Sequence, residues 1–91
     1  MNTNIAPVAA PATMTLATVQ LSPHNRLEAF LDIEFGEGGR DGFRVARIAI
    51  GRAYATASKA ERMARFERVA QAEVNMTAER AGCAPLTVAW V

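Results

Sequence analysis

The residues with chemical potential in this chain are few and widely separated. It holds one histidine, His24, and one cysteine, Cys83. Nucleophilic catalysis requires a Ser, Cys or Thr activated by a neighbouring base. His24 follows Pro23 in a turn context, and Cys83 lies between Gly82 and Ala84, more than fifty residues away. Cys83 reads as a small, partly buried residue. No paired Cys or His spacing and no alternating carboxylate loop is present, so neither a structural zinc site nor a calcium loop is predicted. Glu28, Asp32 and Glu34 are the nearest approach to a carboxylate pair, but acid–base work needs two such groups in one cleft. Gly36, Gly38, Gly39 and Gly42 have the look of a phosphate loop without the Lys-Ser/Thr that completes one, and they read as a hairpin turn. The sequence predicts a non-enzyme with no catalytic residue, no metal and no cofactor.

Charge is more informative than motif. The 91 residues sum to +1, yet residues 1–25 carry no Asp, Glu, Lys or Arg. Residues 26–42 hold two arginines against five acids, and residues 43–65 hold six basic residues against Glu61. An even net charge excludes a protein that coats nucleic acid by bulk electrostatics. A local patch is still available: Arg44, Arg47, Arg52, Lys59 and Arg62 can neutralise phosphates if the fold brings them together. The single cysteine rules out an internal disulfide and points to a reducing, cytoplasmic setting. No apolar run approaches the roughly 20 residues of a membrane span, and no secretory signal pattern opens the chain.

The elements that must carry these residues follow from periodicity. Residues 1–13, with Pro7 and Pro11 among small residues, are predicted to be a flexible or extended arm, and residues 14–91 a single domain. Met14 to Leu21 reads as a strand stopped by Ser22-Pro23. Arg26 to Phe35 fits two templates. A helix would use Ser22 as cap and Gly36 as stop; a strand places Leu27, Ala29, Leu31, Ile33 and Phe35 on one face and Glu28, Phe30, Asp32 and Glu34 on the other. The β-rich stretch from Phe43 to Tyr54 favours the strand, because both segments can then form a hairpin. The register that makes one face wholly apolar pairs Phe35 with Phe43, Ile33 with Val45 and Glu34 with Arg44. A bulge at Ala46-Arg47 then brings Leu31 to Ile48, Ala29 to Ile50 and Asp32 to Arg47.

Ser58-Lys59-Ala60-Glu61 is a capping box and opens a helix closed by Gly82. Its apolar stripe runs through Ala60, Met63, Phe66, Ala70, Val74, Thr77 and Ala81. A second row, Arg62, Arg65, Val69, Ala72 and Met76, is read as lying opposite the core, where the N-terminal arm or a partner could cover it. Leu86 to Val91 closes the chain as a short strand. The prediction is an α+β fold: an antiparallel-based sheet of about four strands in the order β-β-β-α-β, with one long helix on one face.

Three strands followed by a helix opening Ser58-Lys59 resemble part of a double-stranded-RNA-binding domain over residues 26–70. This likeness implies a nucleic-acid-binding module. The chain departs from that pattern in lacking a first helix and further lysines at the helix start. In size and α+β architecture, residues 14–91 resemble small phage-encoded inhibitors of bacterial defence complexes, the anti-CRISPR proteins. That resemblance implies a stoichiometric inhibitor or adaptor docking on a CRISPR-associated complex. The expected partner-binding residues are Glu28, Asp32, Glu34 and Glu37, meeting a basic channel, with Arg62, Arg65, Val69 and Met76 as a second contact. A homodimer joined through the second helix row or through Leu86 to Val91 is the third expectation.

Overall fold

The computed structural model describes residues 3–5 and 12–91. The strands are β1 (Thr3–Ile5), β2 (Met14–Leu21), β3 (Glu28–Phe35), β4 (Gly42–Ala49) and β5 (Ala89–Trp90), with helix α1 (Lys59–Ala81) between β4 and β5. They form one five-stranded sheet in the order β1-β4-β3-β2-β5. All neighbours are antiparallel except β2 and β5. The fold is α+β, as the periodicity predicts. Of the expected N-terminal arm, only Thr3–Ile5, Ala12 and Thr13 fall among the described residues. Thr3–Ile5 add a strand along the outer edge of β4.

Residues 26–35 resolve in favour of the hairpin, but not in the register the sequence suggests. Phe35 pairs with Gly42, Glu34 with Phe43, Ile33 with Arg44, Asp32 with Val45 and Leu31 with Ala46, continuing without a bulge to Glu28 opposite Ala49. Phe43 and Val45 therefore share a face with Glu34 and Asp32, and Arg44 lies on the face that was expected to be wholly apolar. Two features account for this. Gly42 enters the ladder as its first residue, directly beside the fully buried Phe35. The helix supplies Glu73 as a salt-bridge partner for Arg44, so a charge on the covered face is compensated and no bulge is needed to expel it. The turn itself depends on Gly36 at φ +73, where a Cβ would meet the Asp41 side chain. Strand β4 stops at Ala49, and Arg52–Tyr54 form a 3-10 turn rather than further strand.

Helix α1 is 23 residues long, about 35 Å at 1.5 Å per residue. Its N-terminus is closed as the capping box predicts: Ser58 Oγ accepts from the Glu61 amide at 3.1 Å, and Glu61 Oε1 accepts from the Ser58 amide at 3.5 Å. At the other end Gly82 adopts the left-handed conformation at φ 71. Phe66, Ala70, Val74, Thr77 and Ala78 face the sheet and are buried. Opposite them lie Met14, Ala17, Val19, Ala29, Leu31, Ile33, Phe35, Ala46 and Ile48, all buried as well. Each large side chain taken fully out of water contributes about 2 kcal/mol, so this single interlayer is the main source of stability. Ala60 at the start of the predicted stripe is exposed; the helix has not yet reached the sheet there.

The C-terminal segment runs back along the helix. Gln71 donates to Leu86 O at 2.9 Å and accepts from the Val88 amide at 2.9 Å, and Trp90 Nε1 donates to Glu67 Oε1 at 2.6 Å. Only Ala89–Trp90 of the predicted final strand pair with the sheet, beside Thr18 and Val19. Among the described residues, no helix is long and apolar enough to cross a membrane.

Candidate docking face and basic end

One face of the sheet is covered by α1 and the other has nothing packed over it among the described residues. The open face is set by the strand registers. On β3 it presents Glu28, Phe30, Asp32 and Glu34; on β4 Phe43, Val45, Arg47 and Ala49; and on β2 Leu16, Thr18 and Gln20. Phe30 and Phe43 are 38% and 41% exposed. Asp32 sits at the centre, between Val45 and Thr18.

The electrostatics of this face are unbalanced. Among the described residues its one cation, Arg47, stands 3.8 Å from Glu28, although the sequence paired it with Asp32. Asp32 and Glu34 have no cation within salt-bridge distance among the described residues. Asp32 and Glu34 are half-buried, and with Glu28 they place three acidic side chains along one strand of this face.

The expected partner-binding residues divide between separate parts of the molecule. Glu28, Asp32 and Glu34 are brought together on the open face. Glu37 is not with them: it lies in the turn Glu37–Gly39 at the tip of the β3–β4 hairpin. Arg62, Arg65, Val69 and Met76 belong to the helix layer, on the far side of the sheet. Nor is that second row opposite the core. At 100° per residue it lies roughly a third of a turn from the buried stripe, and it flanks the stripe. Val69 is packed against the core, the Arg65 guanidinium lies 5.9 Å from the centre of the Tyr54 ring, and Arg62 Nη1 donates to Ala57 O at 2.6 Å. Three of the four thus have intramolecular roles; Met76, 47% exposed, has none among the described residues.

The predicted nucleic-acid set also divides. Arg44 is on the covered face in its salt bridge to Glu73, and Arg47 is on the open face beside Glu28. Arg52, Lys59 and Arg62 remain at the end of the molecule where the helix begins. There the sequence reading missed Arg26, which joins Lys59 and Arg62 around a hollow of about 100 Å³ with Leu21, Ser22 and Met63. It also missed Phe43, Val45 and Leu16 as groups of the open face. Alternation along β3 places Phe30 beside Glu28 and Asp32; Phe43 and Val45 on β4 needed the register.

Among the described residues, no group of three His, Cys, Asp or Glu is placed to hold a metal ion. Cys83 is half-buried and packs against the core. The chain matches no protein-family model, no curated protein and no solved structure.

Proposed function

We propose that this protein is a non-enzymatic binding protein, an inhibitor or adaptor, that docks through its open sheet face onto a cationic, apolar-studded surface of a protein partner. The observation that carries this reading is the combination on one uncovered face of Phe30 and Phe43, exposed at 38% and 41%, with Glu28, Asp32 and Glu34. Aromatic anchors supply binding energy, and the carboxylates, of which Asp32 and Glu34 have no ion-pair partner among the described residues, supply steering and selectivity. An anti-CRISPR-type inhibitor acting in the cytoplasm is the specific form suggested by size and architecture. The acidic face would then occupy the basic nucleic-acid channel of a CRISPR-associated complex.

The test is comparative capture from nuclease-treated bacterial lysate with three forms of the protein. The wild type retains a defined complex. The pair Phe30→Ala/Phe43→Ala loses it, and so does the triple variant Glu28→Gln/Asp32→Asn/Glu34→Gln. If the retained complex is CRISPR-associated, wild-type protein also blocks its binding to target nucleic acid and the triple variant does not. Equal capture by all three forms would exclude the open face as the docking surface.

A further inference from the structure

The hollow at the start of α1 is a second site, independent of the open face. We propose that it seats a single-stranded nucleic acid, one phosphodiester in the hollow and its two neighbours along the rim, met by Arg26, Lys59 and Arg62, with the adjoining sugar or base edge against Leu21 and Met63.

Side chains of two separate elements make the site, and the backbone fixes both. On the sheet side, Ser22 Oγ accepts from the amides of His24 and Asn25, each at 3.2 Å, and Asn25 Oδ1 accepts from the Leu27 amide at 2.9 Å. The Glu28 amide closes the turn on Asn25 O at 3.1 Å. Arg26 therefore projects from a turn ordered by four hydrogen bonds. On the helix side the capping box fixes the backbone at Lys59, and the bond to Ala57 O holds the Arg62 side chain. Neither Arg26, Lys59 nor Arg62 has a carboxylate within 4.0 Å among the described ion pairs. Glu61, the acid in the same helical turn, is engaged with Ser58 through its Oε1 at 3.0 Å.

The ligand follows from shape and charge. A hollow of about 100 Å³ is smaller than the roughly 300 Å³ at which pockets begin to enclose whole ligands. It takes one group of something that continues across the surface. The positive charge also continues. Ile50 donates to Leu27 O at 3.1 Å, which brings the exposed Arg52 to the same end as Arg26. A chain of phosphates satisfies both conditions, and guanidinium forks match phosphate oxygens in geometry. The apolar floor suits a strand whose sugars and bases are accessible, as they are in a single strand.

Fluorescence anisotropy with a labelled single-stranded oligonucleotide of about twelve nucleotides, a length one small domain can cover, tests the assignment. With three phosphates neutralised, binding weakens about 20-fold between about 50 and 200 mM salt, a log–log slope near about −2. The double variant Arg26→Gln/Lys59→Gln alters two exposed side chains, so the fold is retained, and the slope flattens to about −0.7. Phe30→Ala/Phe43→Ala binds the oligonucleotide as the wild type does, which separates this site from the open face. Absent or salt-insensitive binding, or an unchanged slope in the double variant, overturns the proposal. So does a poly-glutamate peptide that competes as well as the oligonucleotide, or a duplex that binds more tightly than the single strand.

Discussion

The covered and open faces of the sheet are drawn from the same strands, with the same alternation and similar β-prone residues. Toward α1, β3 presents Ala29, Leu31, Ile33 and Phe35, none more than 1% exposed. Away from it, the same strand presents Glu28, Phe30, Asp32 and Glu34, with Phe30 still 38% exposed. On the covered face the charge of Arg44 is met by Glu73. On the open face two carboxylates persist without one, because water solvates them. A sheet surface of this kind costs the free protein little and leaves aromatic area and charge available to something else.

The largest expected effect contrasts aromatic truncation on the two sides. Phe66→Ala removes a fully buried ring and is expected to lower unfolding free energy by about 4 kcal/mol in urea denaturation. Phe30→Ala on the open face is expected to cost less than about 1 kcal/mol. Equal losses would mean that the open face is packed and would abolish the distinction.

An intermediate effect concerns the charge on the covered side. Glu73→Ala leaves the Arg44 guanidinium, whose Nε already lacks an acceptor, without its carboxylate. The expected loss is about 2 kcal/mol, less than for a fully buried pair because both side chains retain some solvent contact. Adding Arg44→Met to that variant should recover most of the loss in the same denaturation assay. Failure to recover it would show that Arg44 contributes by packing and not through its ion pair.

The smallest effect sharpens the contrast from the other side. Glu28→Gln removes the carboxylate 3.8 Å from Arg47 on the open face, where exposed pairs contribute about 0.5 kcal/mol or less. A loss above about 1 kcal/mol in denaturant titration would indicate an ordered network there.

The elements with strong local signals were readable in the chain. The helix has its cap, its acidic third residue, its 3.6-residue stripe and its closing glycine, and all of these act within a few residues of one another. The separation of Glu28, Phe30, Asp32 and Glu34 from the apolar face is equally local, since it follows from alternation alone. The pairing partner of β3 was readable too, but the register was not. Alternation favours a face free of charge, because nothing local to Arg44 supplies it with a partner. Glu73 is 29 residues further along, and no short-range pattern connects the two.

The candidate sites divide in the same way. The three carboxylates of the open face could be grouped from sequence because one strand carries them. Arg26 and Arg62 are separated by 36 residues, and only the packing of the β2–β3 turn against the first turn of α1 makes them neighbours. The sequence by itself determined the α+β class, the ends of the helix and the two sides of β3, since dihedral preference, capping and alternation are properties of neighbouring residues. The tertiary structure alone decided that Arg44 turns inward, that Phe43 and Val45 turn outward and that three cations line one hollow. Those outcomes depend on long-range contacts, where each residue's surroundings are supplied by segments distant in the chain.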